Sequence, residues 1–256
     1  MKHLMEKVLA ALFALLSTTM VFGDPRPFTF TYDAYPIGKG GVEYEQWITF
    51  NADKGTDHDF RQFQFLHELE YGISDNLDLG LYFLRWNYED SRDESGSQYD
   101  GGAVELIYTI LNPGKDKWGL ALYGEIGVAE NELEFEQKVL VQKDIGKWIF
   151  AYNLILETEI AGVFDSNKEN EVEGVIGHAF GVTTAVARTW FVGGELLVES
   201  IFPDWSHYET TTAYLGPTIS YQGGNHWWAT VTPAYQITGE EEEPNWKIRL
   251  IVGWEF

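Results

Sequence analysis

The chain has 256 residues and a net charge of −23, from 17 lysines and arginines against 40 aspartates and glutamates. This charge argues against a nucleic-acid partner, because the phosphates would be repelled. The chain contains no cysteine, which excludes a disulfide framework and thiol chemistry. Ten Trp, 14 Tyr and 16 Phe in a chain of average hydropathy instead indicate many short, half-exposed strands with aromatic ends.

The first 23 residues have the pattern of a secretory signal peptide. Lys2 and Lys7 make a positive start, an apolar stretch follows from Val8 to Leu16, and Gly23 is a small residue suited to cleavage. The apolar stretch is shorter than the ~20 residues that a membrane-spanning helix needs. We therefore predict a signal peptide over residues 1–23.

The next segment, residues 24–41, is rich in proline and aromatic side chains, among them Pro25, Pro27, Phe28 and Tyr32. We expect it to be a periplasmic extension ahead of a β-barrel domain. Folding of the segment into the mouth of the barrel is the alternative.

From residue 42 onward, period-two segments are separated by alternately short and long polar breaks. They predict about twelve strands, over residues 42–50, 61–73, 77–88, 102–111, 118–128, 133–143, 148–164, 172–187, 190–200, 212–222, 227–238 and 246–256. Short turns face the periplasm and long loops face outward in bacterial barrels. The expected fold is therefore all-β, a single antiparallel up-and-down transmembrane barrel over residues 42–256.

The last predicted strand has the pattern that a membrane-spanning barrel strand requires. Apolar side chains occupy every second position from Trp246 to Trp254, and Phe256 follows. This pattern resembles the C-terminal assembly signal of Gram-negative outer-membrane β-barrels, with Trp254 and Phe256 as its aromatic residues. The resemblance implies an outer-membrane location and recognition by the barrel-assembly machinery.

Two internal segments, Glu68–Leu77 and Gly193–Leu197, resemble those of poorly characterised porin-like barrels that are described as transporters. This second resemblance implies passive transport but no particular solute.

The outward faces of the strands are consistently apolar, so we expect them to contact outer-membrane lipid and lipopolysaccharide. Five tryptophans fall in the outward register close to the predicted periplasmic turns or terminus: Trp118, Trp148, Trp190, Trp227 and Trp254. Tryptophan is favoured where an apolar ring meets lipid headgroups. The five therefore predict a membrane-interface girdle.

The inward faces carry most of the charge. By alternation they hold fifteen acids, namely Glu43, Glu45, Glu68, Glu70, Asp78, Glu105, Glu125, Glu134, Glu136, Glu157, Glu159, Glu173, Glu195, Glu199 and Glu255. Against these stand Lys138, Lys247 and Arg249. Uncompensated buried carboxylates cost several kcal/mol each, so the excess favours a wet, pore-like lumen that contains cations. The acids divide into a periplasmic and an outer patch, joined into a cation path.

A narrow channel for small cationic or neutral solutes is the function that this pattern favours. Twelve strands give an intermediate width, and inward Trp47, Tyr82, Trp86, Tyr123 and Trp228 would narrow it further. A closed structural or ligand-binding barrel is the first alternative, and a soluble secreted β-sandwich is another.

Enzyme chemistry finds little support in the sequence. A lipid-modifying enzyme would use His67 and His178, the outward mid-strand histidines, but neither has an evident serine nucleophile with an orienting group. We expect no catalytic residue and no cofactor. No metal site is predicted, because the sequence has no Asp-rich loop motif and no histidine pair at ligand spacing. Metal binding by pairs of glutamates stays open, since carboxylates suit hard cations such as calcium.

Overall fold

The alternating segments form one antiparallel sheet of 13 strands. The computed structural model describes residues 25–92, 95–165, 170–223 and 226–256, so the predicted signal peptide over residues 1–23 lies outside the described residues. The strands are β1 (Val42–Lys54), β2 (Arg61–Ser74), β3 (Leu77–Asp90), β4 (Ser95–Tyr99), β5 (Gly102–Leu111), β6 (Gly119–Ala129), β7 (Glu132–Ile145), β8 (Trp148–Ala161), β9 (Glu171–Ala185), β10 (Trp190–Phe202), β11 (Thr210–Tyr221), β12 (Trp227–Gln236) and β13 (Pro244–Glu255). None of the described residues belongs to a helix long and apolar enough to cross a membrane.

All strands except β4 close into a twelve-stranded barrel. Each pairs with its neighbour along the chain, β3 pairs with β5 across β4, and β1 pairs with β13 to complete the circle. The short β4 extends only the end of β3, from Trp86 to Asp90. Closure gives every barrel strand two hydrogen-bonded neighbours, which lipid requires of a spanning sheet. The predicted barrel is confirmed, and β4 is an addition within a predicted loop.

The two ends of the barrel differ in the length of their connections. The end that holds Val42 and Glu255 has turns as short as residues 75–76 and 146–147, and we call it the turn end. Connections at the opposite end, called the loop end, are mostly longer, such as residues 203–209. The exceptions are residues 130–131, a short connection at the loop end, and residues 112–118, a long one at the turn end. Because the number of barrel strands is even, both barrel termini lie at the turn end.

One irregularity reverses the faces of a strand. β3 carries an extra residue, Phe83, opposite the step from His67 to Glu68 in β2. A one-residue shift moves all following side chains to the other face, so Arg85 points into the lumen. Trp86 instead stacks on Phe65, with ring centroids 4.1 Å apart, and the prediction of an inward Trp86 is wrong.

The segment that precedes β1 lies inside the barrel. Its residues 25–37, here called the plug, fill the turn-end half of the lumen, and Phe28, Phe30 and Ala34 are each at most 5% exposed. The tip of the plug is Phe30, which packs with apolar side chains of five wall strands, Ile155, Ala179, Leu197, Tyr214 and Ala234. Burial of these apolar groups favours the lumen over water. The plug therefore lies within the barrel, which is the alternative named above, and is not a periplasmic extension.

Aromatic side chains mark the outside of the turn end. The five predicted girdle residues, Trp118, Trp148, Trp190, Trp227 and Trp254, are all between 39% and 53% exposed. Trp227 and Trp254 are direct cross-strand partners, and Tyr221 lies between Trp190 and Trp227 with centroid distances of 4.9 and 5.0 Å. The rings therefore share one level of the outer wall, and their contact with the membrane interface stays a prediction.

Phe256 provides a test of barrel assembly. Its ring is 61% exposed, and its backbone N–H donates to the Val42 carbonyl across the β1–β13 closure at 3.0 Å. We expect Phe256→Ala to lower the fraction of folded protein in the membrane severalfold, because the outward aromatic group of the predicted assembly signal is lost. Heat-modifiable migration of membrane fractions on a denaturing gel measures this fraction.

Phe256→Tyr is the matched control, since it keeps an aromatic ring at the same place and should assemble normally. Full assembly of Phe256→Ala would contradict the prediction.

Candidate functional site

Inward carboxylates form a nearly continuous row around two thirds of the wall. Directly opposed positions on successive strands carry, in order, Glu255, Glu43, Glu70, Gly80, Glu105, Glu125, Glu136 and Glu157. We call this row the carboxylate ladder. The row begins with Glu255 at the turn end and reaches Glu157 in the loop-end half of the barrel. The two predicted acidic patches are therefore parts of this one row. Like charges directly opposite each other destabilise a sheet, and the ladder therefore requires compensation.

The remaining predicted acids flank the ladder on the same inner face. Glu45 opposes Glu68 near the turn end, and Glu159 lies between Glu134 and Glu173 near the loop end. Asp78, Glu195 and Glu199 also point inward. The acids of the turn-end half and those of the loop-end half differ in how deeply they are buried. The acids around the plug are buried, whereas Glu134 and Glu199 side chains are 16% and 31% exposed.

Basic side chains of the wall compensate part of this charge. Lys138 Nζ lies 2.8 Å from Glu136 Oε2, and Lys247 Nζ lies 3.2 Å from Glu199 Oε2. The third predicted base, Arg249, donates to neutral groups instead, namely Thr49 Oγ1 at 2.9 Å and the Thr29 carbonyl at 3.3 Å.

Sequence reasoning missed two further bases, Arg85 and Arg26. Arg85 donates to Glu134 at 2.8 Å and lies 3.5 Å from Glu125, but its inward position depends on the bulge in β3, for which alternation gives no signal. Arg26 belongs to the plug. The imbalance of fifteen acids against three bases was the available signal that a further cation was needed.

Arg26 attaches the plug to the turn-end acids. Its Nε donates to Glu45 Oε1 at 2.8 Å and its Nη2 donates to Glu70 Oε1 at 2.6 Å. The guanidinium also lies over the rings of Tyr32 and Trp47, at 4.3 and 5.2 Å from their centroids. Burial alone would lower the pKa of Arg26, but the charges of Glu45 and Glu70 outweigh it and raise this pKa. The guanidinium therefore stays charged within the wall of carboxylates.

Glu195 holds the backbone of the plug near its tip. Its two carboxylate oxygens accept hydrogen bonds from the N–H groups of Thr29, Phe30 and Thr31 at 2.8, 2.7 and 2.9 Å. The Thr232 hydroxyl donates to the same carboxylate at 2.6 Å. Hydrogen bonds to a charged acceptor contribute ~1.5–3 kcal/mol each, so Glu195 is a strong anchor for the plug.

Amide side chains of the wall continue this attachment. The Asn153 amide pairs with both backbone groups of Tyr32, at 2.6 Å to the N–H and 2.9 Å to the carbonyl. Gln142 Oε1 accepts from the Ala34 N–H at 2.8 Å, and Asp78 accepts from Ile37 at 3.3 Å. Polar wall side chains thus replace the sheet partners that the plug backbone lacks.

The plug divides the space inside the barrel. On its loop-end side, a cavity of about 270 Å³ is lined by plug rings and by charged wall residues. A wider vestibule of about 1100 Å³ lies among the loop-end connections. On the turn-end side, a void of about 30 Å³ lies between Arg26, Asp33, Tyr35, Glu70 and Asp78. The plug therefore separates a polar cavity on its loop-end side from the turn end.

Comparison with protein families assigns this barrel to a group. A family model matches residues 21–248. The chain belongs to DUF6662, a family of unknown function. No curated protein sequence matches this DUF6662 member.

Solved structures share the architecture of this DUF6662 barrel at low sequence identity. The COG4313 outer membrane channel from Pseudomonas putida F1 superposes with a TM-score of 0.64 at 12% identity, over 91% of this chain and 100% of that one. The NanC porin gives 0.58 at 11% identity, over 84% and 100%. The translocator domain of autotransporter NalP from Neisseria meningitidis gives 0.53 at 12%, over 84% and 88%. The predicted porin-like outer-membrane barrel is confirmed at the level of the fold.

Removal of the Glu195 carboxylate should loosen the plug. Because the chain has no cysteine, Thr31→Cys introduces a single thiol at a position that is 3% exposed. We expect Glu195→Ala to increase the rate at which a water-soluble maleimide labels this thiol, on the order of tenfold or more. The reason is that three backbone N–H groups of the plug lose their hydrogen bonds to the carboxylate. Labelling is followed by mass spectrometry on folded protein in detergent.

Glu173→Ala in the same cysteine background is the control, because it removes a loop-end carboxylate that faces the lumen away from the plug. Equal labelling rates in the two variants would contradict the anchoring role of Glu195.

Proposed function

We propose that this protein is an outer-membrane channel for small solutes and that the plug closes it in the conformation described here. The observation that carries the proposal is the pairing of a charged cavity on the loop-end side with a separate plug that polar and apolar contacts hold in the lumen. The shared fold with porin-like barrels supports the same proposal.

The way in which the lumen is filled favours a channel over a purely structural barrel. A closed barrel is filled by interdigitating side chains of its own wall. Here the wall leaves room for residues 25–37, and a separate chain segment fills that room. On the loop-end side the lumen remains open as a cavity of about 270 Å³. At ~30 Å³ per water molecule, this space suits a small hydrated solute.

Charge at the cavity supports a cation preference that is weaker than the sequence alone suggested. Six acids line it, Asp100, Glu125, Glu134, Glu136, Glu157 and Glu199, together with four bases, Arg85, Lys138, Lys247 and Arg249. Charged rings concentrate counter-ions and repel ions of the same sign. The remaining excess of carboxylates favours small cationic or neutral solutes over anions.

A ligand-binding barrel is the second candidate, because the plug makes many attachments that oppose its release. A lipid-modifying enzyme is less favoured by the geometry. The outward histidines contact tyrosine hydroxyls rather than a serine, with Tyr44 bonded to His67 at 2.8 Å and Tyr152 bonded to His178 at 2.9 Å. These pairs lack the nucleophile that acyl transfer needs.

Conductance tests the channel directly. We expect the folded protein in a planar bilayer to open rarely, and the double variant Arg26→Ala, Glu195→Ala to open at least severalfold more often, because its plug has lost the ionic and carboxylate anchors. Single-channel recordings give the open probability. Glu241→Gln, on the exposed loop after β12, is the control and should behave as the unmodified chain. Silence from the folded double variant would favour the closed, ligand-binding barrel.

Ion selectivity tests the role of the loop-end acids. In the double variant, we expect Glu134→Gln, Glu136→Gln, Glu157→Gln and Glu159→Gln together to shift the reversal potential toward anion preference, because the bases at the cavity then outnumber its acids. A potassium chloride gradient across the bilayer provides the measurement.

The matched control replaces the loop acids Glu240, Glu241 and Glu242 by glutamine, which removes charge outside the lumen. An unchanged reversal potential in the lumen variant, with folding verified by heat-modifiable migration, would exclude these acids from selectivity.

A further inference from the structure

Three carboxylates meet at one point of the wall beside the plug. One oxygen each from Glu68, Glu70 and Glu105 lies within 4.8 Å of the other two, and all three residues are buried. Glu68 and Glu70 belong to β2, and Glu105 belongs to β5, on the other side of β3. The cluster thus joins strands that are not direct neighbours.

Gly80 of β3 makes this approach possible. It is the one position without a carboxylate in the carboxylate ladder, between Glu70 and Glu105. A Cβ atom at Gly80 would lie 2.6 Å from Glu68 Oε1 and 3.2 Å from Glu105 Oε1. Because glycine has no side chain, the two oxygens converge over its backbone instead of being held apart.

The Glu68 carboxylate has no hydrogen-bond donor within the described part of the chain. Its residue is 0% exposed, and neither Oε1 nor Oε2 accepts a hydrogen bond. The basic group that pairs with it is Arg26, whose Nη2 lies 4.0 Å from Glu68 Oε2. By contrast, Glu105 accepts from the Tyr82 hydroxyl at 2.5 Å. A buried carboxylate without a partner is costly, so Glu68 is aimed into a space that requires a positive charge.

Arg26 alone cannot supply that charge. One guanidinium lies within 4.0 Å of three buried carboxylates, those of Glu45, Glu68 and Glu70, and Glu105 lies within 4.8 Å of the last two. Arg26 makes hydrogen bonds to Glu45 and Glu70, and these leave Glu68 and Glu105 to another positive species.

We propose that Glu68, Glu70 and Glu105 bind a divalent hard cation, calcium, over Gly80. Calcium binds carboxylate oxygens at ~2.3–2.6 Å, so oxygens on opposite sides of the ion lie up to ~5 Å apart, and its coordination tolerates irregular geometry. The mutual separations of the three oxygens, all within 4.8 Å, fit this range. The expectation of no metal site rested on contiguous motifs, whereas these ligands come from strands far apart in sequence.

The bound ion connects β2 to β5 across β3 and lies next to the Arg26 attachment of the plug. It therefore stabilises the wall where the carboxylate ladder is most crowded. This site goes beyond the proposed channel, since it can bind calcium whether or not the lumen conducts.

Terbium, a luminescent substitute for calcium, tests the site in the full chain refolded in detergent and freed of metal by a chelator. We expect saturable luminescence, sensitised by the tyrosine and tryptophan rings nearby and reversed by excess calcium. Glu68→Gln should weaken binding on the order of tenfold or more, since it removes one of the charged ligands. All proteins carry Glu240, Glu241 and Glu242 replaced by glutamine, which removes weak binding by the exposed acidic loop.

Glu125→Gln is the matched control. Glu125 opposes Glu105 directly on β6, is buried, and also accepts from a tyrosine hydroxyl, that of Tyr123. It lies outside the cluster of three and should keep the binding of the parent chain. Gly80→Ala is a second variant, which keeps every charge but fills the space over the glycine and should also weaken binding.

Thermal unfolding provides an independent readout. Millimolar calcium should raise the unfolding midpoint of the parent chain and of Glu125→Gln by several degrees, and should leave Glu68→Gln unchanged. The comparison holds even if Glu68→Gln is itself more stable, because each variant is compared with and without calcium. Equal calcium responses in all variants, or no binding at millimolar calcium, would overturn the proposal and leave a proton shared between Glu68 and its neighbours as the compensation.

Discussion

The excess of negative charge inside the barrel is the constraint to which the other features respond. Opposed carboxylates along the carboxylate ladder repel one another, and the lumen must supply positive partners. It does so with bases of the wall, with the guanidinium of Arg26, and with backbone N–H groups directed at Glu195. The plug is therefore an electrostatic partner of the wall as well as a steric one.

Apolar and polar contacts of the plug have different consequences for opening. Phe28 and Phe30 are almost fully buried, and exposing such a side chain to water costs ~1.5–3 kcal/mol. The hydrogen bonds to Glu195 and Asn153 also hold the plug, but the groups that make them can bond to water once they are exposed. Opening therefore exposes the apolar side chains of the plug at a cost, whereas its polar attachments can be exchanged for bonds to water.

The sequence predicted the strands well because each strand has one lipid-facing and one lumen-facing side. The strand predicted over residues 102–111 has the same bounds in the structure. Alternation does not reveal an inserted residue, however, and Phe83 reverses the faces of Arg85 and Trp86. Nor does it give the cross-strand register, which decides that Glu105 opposes Glu125. The position of the plug depends on contacts with six or more strands, and no local pattern in residues 24–41 encodes them.

The acids of the carboxylate ladder differ in burial, and this difference gives the turn-end and loop-end members different roles. Its turn-end members are enclosed by the plug, and Glu43, Glu70 and Glu105 are at most 5% exposed. Enclosed carboxylates hold Arg26 and, on our proposal, calcium, so they are unavailable to a solute that enters from the loop end. The partly exposed acids beyond the plug are the ones such a solute meets first. Selectivity should therefore depend on the loop-end acids and closure on the turn-end acids, so the two properties can be changed separately within one continuous row of residues.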